Sequence, residues 1–349
     1  MQTRRAFLKL LVGLGAVALP WTTWPDRWEK ALNTWVKRPP AQLIPLPPKP
    51  AADSPATSAS TGGPSFRPKA MEDIKVMTGP EAQGRRAGST GEAKVATYLI
   101  NQLRSLGLKP LGENGRFTQA FTIPAETETM VNGRLTFRPD NQAGLRSPCV
   151  NVLGCLEGTK PEETICLSAH YDHLGVFEGR LYPGANDNAS GVGCVLDVVR
   201  RLVSEGSTPK RSVAIVFWSA EEMGFLGSSY FVQHPTIPLA RLVAVINADT
   251  VGNGTIGDFA LWANGANIVV RALQQAAAKA KAWAVLTAGG GHNSDQISFA
   301  QEGIPAATLM AREWLVNNHT PEDTEAFVKP EQIYLAGEII YQAVKSLAY

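Results

Sequence analysis

The chain has 349 residues, of which 44% are hydrophobic and 18% are charged, and its formal net charge is +2. This length allows one large domain or two small ones, and the apolar content is sufficient for a packed core. Because the charge is nearly balanced, the chain has no large field of one sign, and we expect no nucleic-acid partner.

The N-terminus has the features of an export signal. Residues 3–9 read T-R-R-A-F-L-K, and the paired arginines precede an apolar stretch over 10–19. That stretch is too short for a membrane span, which needs about 20 apolar residues. We therefore expect residues 1–20 to be a twin-arginine signal read by that export machinery, and the protein to be periplasmic or extracellular. A Sec-type signal is the alternative.

Two further segments precede the folded domain. Residues 21–38 contain four of the eight tryptophans, which indicates either a segment that packs on the domain or an interfacial helix that attaches the protein to a membrane surface. Residues 39–68 are rich in Pro, Ala and Ser, which is typical of an extended linker. The folded domain is expected over 69–349.

The periodicity of apolar residues predicts alternating helices and strands in this domain. The predicted helices cover 90–106, 190–203, 267–282 and 330–346. The predicted strands cover 150–156, 164–169, 212–218, 242–248 and 306–310, with the first two joined as a hairpin. This alternation indicates an α/β fold with a largely parallel sheet flanked by helices.

Polar residues lie at the ends of three of these strands. His170 follows strand 164–169 directly, Glu221 and Glu222 follow strand 212–218, and Asp249 comes at the end of strand 242–248. Ligand sites in open α/β sheets form at the carboxyl ends of strands, so these side chains should converge on one rim. Asp187 in a Gly/Asn/Ser-rich loop and His319 in a polar loop are expected to join them.

Five such ligands suit two neighbouring divalent cations, and imidazole with carboxylate suits Zn²⁺. Taken alone, each motif has a simpler explanation: Asp187 could cap a helix, and His319 could be an ordinary loop histidine. Glu221 and Glu222 are the most informative pair, because adjacent acids at a buried strand end repel each other unless positive charge is near. One of them can bind metal while the other accepts a proton from water.

In this order, five motifs resemble those of the di-zinc aminopeptidase family, which includes bacterial leucyl aminopeptidases, aminopeptidases S and Y, and glutamate carboxypeptidase relatives. The motifs are S-A-H-Y-D-H, G-A-N-D-N-A-S-G, S-A-E-E-M-G, I-N-A-D-T-V-G and N-N-H-T-P-E-D-T. The resemblance covers residues 85–349. It implies a three-layer sandwich with a mostly parallel mixed sheet between helices, and two Zn²⁺ per chain.

The resemblance also implies a role for each site residue. His170 and Asp249 would hold one zinc, Glu222 and His319 the other, and Asp187 would bridge them. Glu221 would be the general base. Asp172 would be the hydrogen-bond partner of His170, and His173 would be only a neighbour.

Two features of the chain bear on the resemblance. Family members often carry His where this chain has Gln296, which puts the pocket contacts rather than the metals in doubt. The stretch 110–150 has no room for the protease-associated insert of larger members.

The expected function is that of an exported zinc exopeptidase acting on peptide substrates, and specifically an aminopeptidase. A glutaminyl cyclase remains an alternative on the same fold. A carboxypeptidase or dipeptidase also remains open, with Arg312 as a candidate partner for a substrate carboxylate. A non-catalytic binding protein is the alternative from another class. A disulfide among the four cysteines is open, although Cys166 and Cys194 lie in apolar runs and are expected to be buried thiols.

Overall fold

The computed structural model describes residues 67–139, 146–287 and 293–349. The expectations for residues 1–20, 21–38 and nearly all of 39–68 lie outside these ranges. Within the described part of the chain, no helix is both long and apolar enough to span a bilayer.

Seven α-helices surround the central sheet in the described part. They are α1 (Ala70–Thr78), α2 (Thr90–Ser105), α3 (Gly191–Ser204), α4 (Leu226–Gln233), α5 (Ile268–Lys279), α6 (Gln296–Gln301) and α7 (Pro330–Ala348). The four helices predicted from the sequence are α2, α3, α5 and α7, and all four predictions are confirmed to within a few residues.

The ends of these helices follow from local chemistry. Ser89 begins α2 as its N-cap, and its hydroxyl accepts the backbone N–H of Glu92, while the Glu92 carboxylate accepts the N–H of Gly88. This reciprocal pattern is close to a capping box. Asn267 caps α5 by accepting the N–H groups of Val269 and Val270, which explains why this helix begins one residue later than predicted.

Nine strands form the main sheet, and four more form two small hairpins. The strands are β1 (Lys109–Pro110), β2 (Thr118–Pro124), β3 (Glu126–Val131), β4 (Arg134–Pro139), β5 (Arg146–Leu156), β6 (Lys160–His170), β7 (Gly175–Phe177), β8 (Arg180–Tyr182), β9 (Arg211–Trp218), β10 (Leu242–Ala248), β11 (Asp258–Trp262), β12 (Trp283–Thr287) and β13 (Ala306–Ala311). The order in the main sheet is β1-β5-β9-β6-β10-β13-β11-β12, with β2 paired to β5. The strands β9, β6, β10 and β13 are parallel, and β5, β11 and β12 run opposite to them.

The predicted hairpin between β5 and β6 is wrong. Strand β9 lies between them, antiparallel to β5 and parallel to β6. The short polar turn between the two apolar runs is the usual sign of a hairpin. Here β5 and β6 each pair with the later strand β9, a long-range preference that local sequence does not contain.

The sheet is covered on both faces. Along β9, Val213, Ile215 and Phe217 face one core, which includes residues of α1, α2, α3, α5 and α7. Ala214, Val216 and Trp218 face the other core, which includes Phe231 of α4 and Phe299 of α6. This two-residue alternation makes the molecule a three-layer α/β sandwich, as expected.

Candidate metal centre

Three adjacent parallel strands place charged side chains at the same edge of the sheet. His170 is the last residue of β6, and Asp249 follows the end of β10 directly. Glu221 and Glu222 follow β9 after a turn in which Ala220 has a left-handed φ of 56°. Because β9, β6 and β10 are neighbours, their carboxyl ends bring these four residues together, as predicted.

A buried loop before α3 supplies Asp187. The Asp323 carboxylate accepts the backbone N–H groups of Asn186 (2.8 Å) and Asp187 (2.9 Å). The fully buried guanidinium of Arg85 donates to the carbonyl oxygens of Gly184 (2.6 Å) and Asp187 (3.0 Å). An anion and a cation therefore fix the loop from both sides, and the Asp187 carboxylate is left to face the strand ends.

His319 is held by the hairpin of β3 and β4. Its Nδ1 lies 2.9 Å from the carbonyl oxygen of Leu135, and its own carbonyl accepts the N–H of Leu135 at 3.3 Å. A histidine that donates one ring N–H to a carbonyl presents its other nitrogen as a metal ligand in a defined orientation. The hairpin therefore orients the imidazole.

The five predicted ligands form two clusters that share Asp187. Oδ1 of Asp187 lies 3.4 Å from Nε2 of His170, which is 3.5 Å from Oδ1 of Asp249. Oδ2 of Asp187 lies 3.2 Å from Nε2 of His319, which is 2.8 Å from Oε2 of Glu222. Two ligand atoms at 2.0–2.1 Å from a tetrahedral zinc are about 3.3–3.4 Å apart. Most of these separations therefore fit a divalent ion in each cluster.

An unpartnered atom supports the same conclusion. Oδ1 of Asp249, which lies 3.5 Å from Nε2 of His170, is buried without a hydrogen-bond partner. A buried carboxylate oxygen without a partner is costly unless a cation satisfies it. The donor set of this site therefore fits a pair of divalent cations.

The electrostatics of the site favour positive charge. Burial lowers the pKa of His319, but the carboxylates of Glu222 and Asp187 outweigh burial and raise it to about 10. Burial and Asp187 act to raise the pKa of Glu222, but His319 and the hydrogen bond from His173 outweigh them and lower it to about 2. A site that holds protons this strongly on its imidazoles is one that stabilises cations.

Glu221 lies beside the first cluster. Its Oε2 is 4.0 Å from Nε2 of His170, farther than the 3.4 and 3.5 Å of the Asp187 and Asp249 oxygens. Burial is the main cause that raises the pKa of Glu221 well above its usual value, and Asp249 adds to it. Burial therefore makes this carboxylate a stronger proton acceptor than an exposed glutamate.

Asp172 lies between β6 and the Glu221 turn. Its Oδ1 is 3.6 Å from Nδ1 of His170, beyond hydrogen-bond distance, and accepts the backbone N–H of Glu221 at 3.0 Å. Its Oδ2 lies 3.4 Å from the N–H of Glu222. The carboxylate therefore fixes the backbone that carries both glutamates.

Several contacts of the site were not predicted from the sequence. His173 is more than a neighbour, because its Nδ1 lies 2.8 Å from Oε1 of Glu222. Asn318 donates from Nδ2 to Oδ2 of Asp187. Arg85, Asp323 and the Leu135 carbonyl act through loops that are distant in sequence. Asn318 and Asp323 lie in the same motif as His319, and His173 lies in the motif of His170, so these three carried a signal that could have been noticed.

The site opens into a cleft of about 280 Å³. Apolar and aromatic side chains line one part of it, including Phe225, Trp262, Met310 and Trp314, and Arg134 lines another. Arg312, the candidate partner for a substrate carboxylate, is not among the described residues that line this cleft, and it pairs instead with Asp258 at 2.8 Å. The side chain of Arg312 is therefore occupied elsewhere.

Gln296 does not line the cleft among the described residues. Its Oε1 accepts the Thr308 hydroxyl at 2.7 Å and the backbone N–H of Ser294 at 3.1 Å. The departure from His at this position therefore affects the packing behind the site.

A three-layer sandwich with imidazole–carboxylate clusters at its strand ends defines a class of α/β proteins whose site could hold metal ions. Within that class, the chain belongs to Peptidase family M28, whose sequence profile matches residues 151–344. The family resemblance proposed from the five motifs is thereby confirmed.

Individual relatives agree with this assignment. The chain is 27% identical over 256 residues to aminopeptidase YwaD of Bacillus subtilis, covering 69% of this chain and 52% of that protein. It therefore spans only about half the length of this curated relative. The structure of BSAP, a zinc aminopeptidase from Bacillus subtilis, superposes with a TM-score of 0.66 at 20% identity, covering 81% of this chain and 96% of that one. Porphyromonas gingivalis glutaminyl cyclase superposes with a TM-score of 0.60 at 20% identity, covering 80% and 97%. At these identities the two structures show the shared fold.

Proposed function

We propose that this chain is a zinc-dependent exopeptidase, and specifically an aminopeptidase that binds two Zn²⁺ and removes the N-terminal residue of peptides. The observation that carries the proposal is the position of Asp187. Its two carboxylate oxygens each face a separate histidine, His170 on one side and His319 on the other. Membership in Peptidase family M28 and the aminopeptidase and zinc aminopeptidase among its relatives support the same assignment.

The residues around the metals then have distinct tasks. When bound, zinc acts as a Lewis acid: it polarises a carbonyl and lowers the pKa of water, so that water can become a nucleophile near neutral pH. The Glu221 carboxylate accepts the proton of the attacking water and returns it to the leaving amine. Asp172 keeps Glu221 in place through the hydrogen bond from its backbone N–H.

The remaining alternatives can be weighed against the geometry. The shared fold supports a glutaminyl cyclase with a single zinc. Such an enzyme has no need for a second cluster of ligands, whereas here His170 and Asp249 form one, with Nε2 and Oδ1 3.5 Å apart. A carboxypeptidase or dipeptidase requires a cation for the substrate carboxylate. A non-catalytic binding protein has no need for the five ligands and Glu221, all of which lie together here.

The test is the release of p-nitroaniline from a panel of L-aminoacyl p-nitroanilides, with N-blocked versions as matched controls. We expect cleavage of the free-amine substrates alone, loss of cleavage with a chelator, and recovery with Zn²⁺. Metal analysis should find two zinc ions per chain. If zinc-loaded protein cleaves none of the panel, the aminopeptidase assignment fails, and glutaminyl peptides and peptides with free C-termini become the next substrates.

We also propose that residues 1–20 direct export by the twin-arginine route and that residues 21–38 attach the protein to the membrane surface. The paired arginines and the tryptophan content support these two proposals. Replacing Arg4 and Arg5 with lysine should leave the protein in the cytoplasm. Recovery of the exported protein in the soluble fraction alone, without salt or detergent, would rule out attachment.

A further inference from the structure

A cationic side chain lines the cleft outside the segment that matches the family. Arg134 begins β4, and the matched segment begins only at residue 151. The guanidinium lies over the ring of Trp314, 5.7 Å from its centroid, and both residues line the cleft. Arg134 is therefore a cation of the β3–β4 hairpin, outside the profile segment, placed beside the metal centre.

The described contacts of Arg134 leave much of its binding capacity unused. Nη2 donates to Oδ1 of Asn318, and Nε donates to the Asn318 carbonyl at 3.3 Å. These two bonds use two of the five N–H donors of a guanidinium. Both acceptors are neutral amide oxygens, and none of the described ion pairs includes Arg134. A guanidinium without a carboxylate partner is well suited to bind one from a ligand, with two parallel hydrogen bonds.

The charge balance of the cleft points the same way. Four carboxylates line it, those of Asp187, Glu221, Glu222 and Asp249, for a formal charge of −4. Two divalent cations would cancel this charge, and Arg134 would then leave the cleft with a formal excess of +1. An anionic ligand would neutralise that excess.

We propose that Arg134 determines specificity by binding a carboxylate of the substrate. This inference rests on the proposed peptidase function. The carboxylate has two sources, the C-terminal α-carboxylate of a dipeptide and the side chain of an acidic N-terminal residue. The cleft of about 280 Å³ is slightly smaller than the roughly 300–1,000 Å³ usual for small-molecule sites. A small cleft with a cation fits a short peptide in which the carboxylate lies close to the scissile bond.

A purely structural role for Arg134 predicts something different. Arg134 bonds to Asn318, and Asn318 donates to Oδ2 of Asp187. If Arg134 only positioned Asn318, its replacement would change the metal site and would affect all substrates by the same factor. A comparison between charged and neutral substrates therefore separates the two roles.

The test uses two substrate pairs that differ in one carboxylate. Leucylglycine and its C-terminal amide test the first source, and the p-nitroanilides of glutamate and glutamine test the second. In Arg134→Gln, the ratio of kcat/KM for charged over neutral substrate should fall about 10- to 100-fold for one pair. Arg134→Lys should keep part of the preference, because it keeps the charge but loses the paired donors. Arg312→Gln is the matched control and should leave both ratios unchanged.

A binding measurement keeps this test independent of turnover. Calorimetric titration of leucylglycine and its amide, and of the α-amides of glutamate and glutamine, into zinc-loaded Glu221→Gln protein gives the corresponding two ratios as Kd values. Adding Arg134→Gln should reduce the preference for the charged ligand of one pair. If both ratios stay unchanged, or all ligands weaken equally, the inference is wrong. Cleavage of aminoacyl p-nitroanilides with unchanged ratios would reject this inference alone, and absence of all cleavage would reject the proposed function.

Discussion

The replacement of Glu221 by glutamine tests whether this residue accepts a proton while its neighbours bind the metals. Glutamine has nearly the same shape as glutamate but cannot accept the proton of the attacking water. The backbone N–H of residue 221 still donates to Asp172 at 3.0 Å, so the turn should keep its geometry. General-base catalysis contributes about 10²- to 10⁴-fold, so kcat should fall by that factor. At about 1.36 kcal/mol for each tenfold change, this corresponds to roughly 2.7–5.5 kcal/mol of barrier height.

The structure also allows a second role for Glu221, that of a metal ligand. Atoms of His170, Glu221 and Asp249 lie within 4.8 Å of one another and could hold a metal among themselves. If Glu221 were a ligand, its replacement would cost a metal ion as well as activity. Oε2 of Glu221 is 4.0 Å from Nε2 of His170, whereas Oδ1 of Asp249 is 3.5 Å from it. We therefore expect Glu221 not to coordinate the metal.

The assay pairs metal analysis with kinetics. Zinc per chain and kcat on leucine p-nitroanilide are measured for the wild type, Glu221→Gln and Glu222→Gln. We expect two zinc ions and low kcat in Glu221→Gln, and a loss of zinc in Glu222→Gln. A kcat within tenfold of wild type in Glu221→Gln would refute the role of general base. Loss of one zinc with recovery of kcat at high zinc would instead make Glu221 a ligand.

Three further predictions concern the body of the fold. Burial raises the pKa of Glu92 to about 8, so the folded state holds this proton more tightly than the unfolded state does. The unfolding free energy should therefore fall as the pH rises from about 5 to about 8, by at most about 1.4 kcal/mol per pH unit. Glu92→Gln should remove this part of the fall when urea titrations are compared across that pH range. Arg200→Met should lower the unfolding free energy by roughly 3–5 kcal/mol in urea, because it leaves the buried carboxylates of Asp73 and Asp197 unpaired, whereas Lys94→Met at the exposed pair with Glu81 should change nothing measurable. All four cysteines are free and buried, so a thiol reagent should label four thiols per chain only after unfolding, and fewer than four without reductant would reveal a disulfide.

Much of the fold could be predicted because its signals are local. The helices α2, α3, α5 and α7 have apolar faces with a helical period, and β9 and β10 are short apolar runs bounded by polar residues. The error at β5 and β6 has the opposite cause. Strand order depends on which edges meet in three dimensions, and β9 is inserted between them although 40 residues separate it from the end of β6 along the chain.

Some residues of the site could be predicted from local sequence, and others could not. His170, Glu221, Glu222 and Asp249 could be predicted because each follows a strand, and strand ends are positions that sequence patterns locate. Arg85 and the hydrogen-bond partner of His319 could not be predicted. Arg85 acts through carbonyl oxygens about 100 positions away, and the partner of His319 is a main-chain carbonyl that carries no side-chain signature. Arg312 and Arg134 are equivalent in type, and only the fold shows which of them reaches the cleft.

The bond between His319 and the Leu135 carbonyl has a consequence for how this site can evolve. A main-chain carbonyl is present whatever side chain the residue bears, so substitutions in the hairpin need not disturb the imidazole it orients. The Leu135 side chain meanwhile anchors the hairpin in a small core with Leu174 and Tyr182. The hairpin can therefore exchange a cleft-facing residue such as Arg134 and still keep the main-chain contact that orients His319.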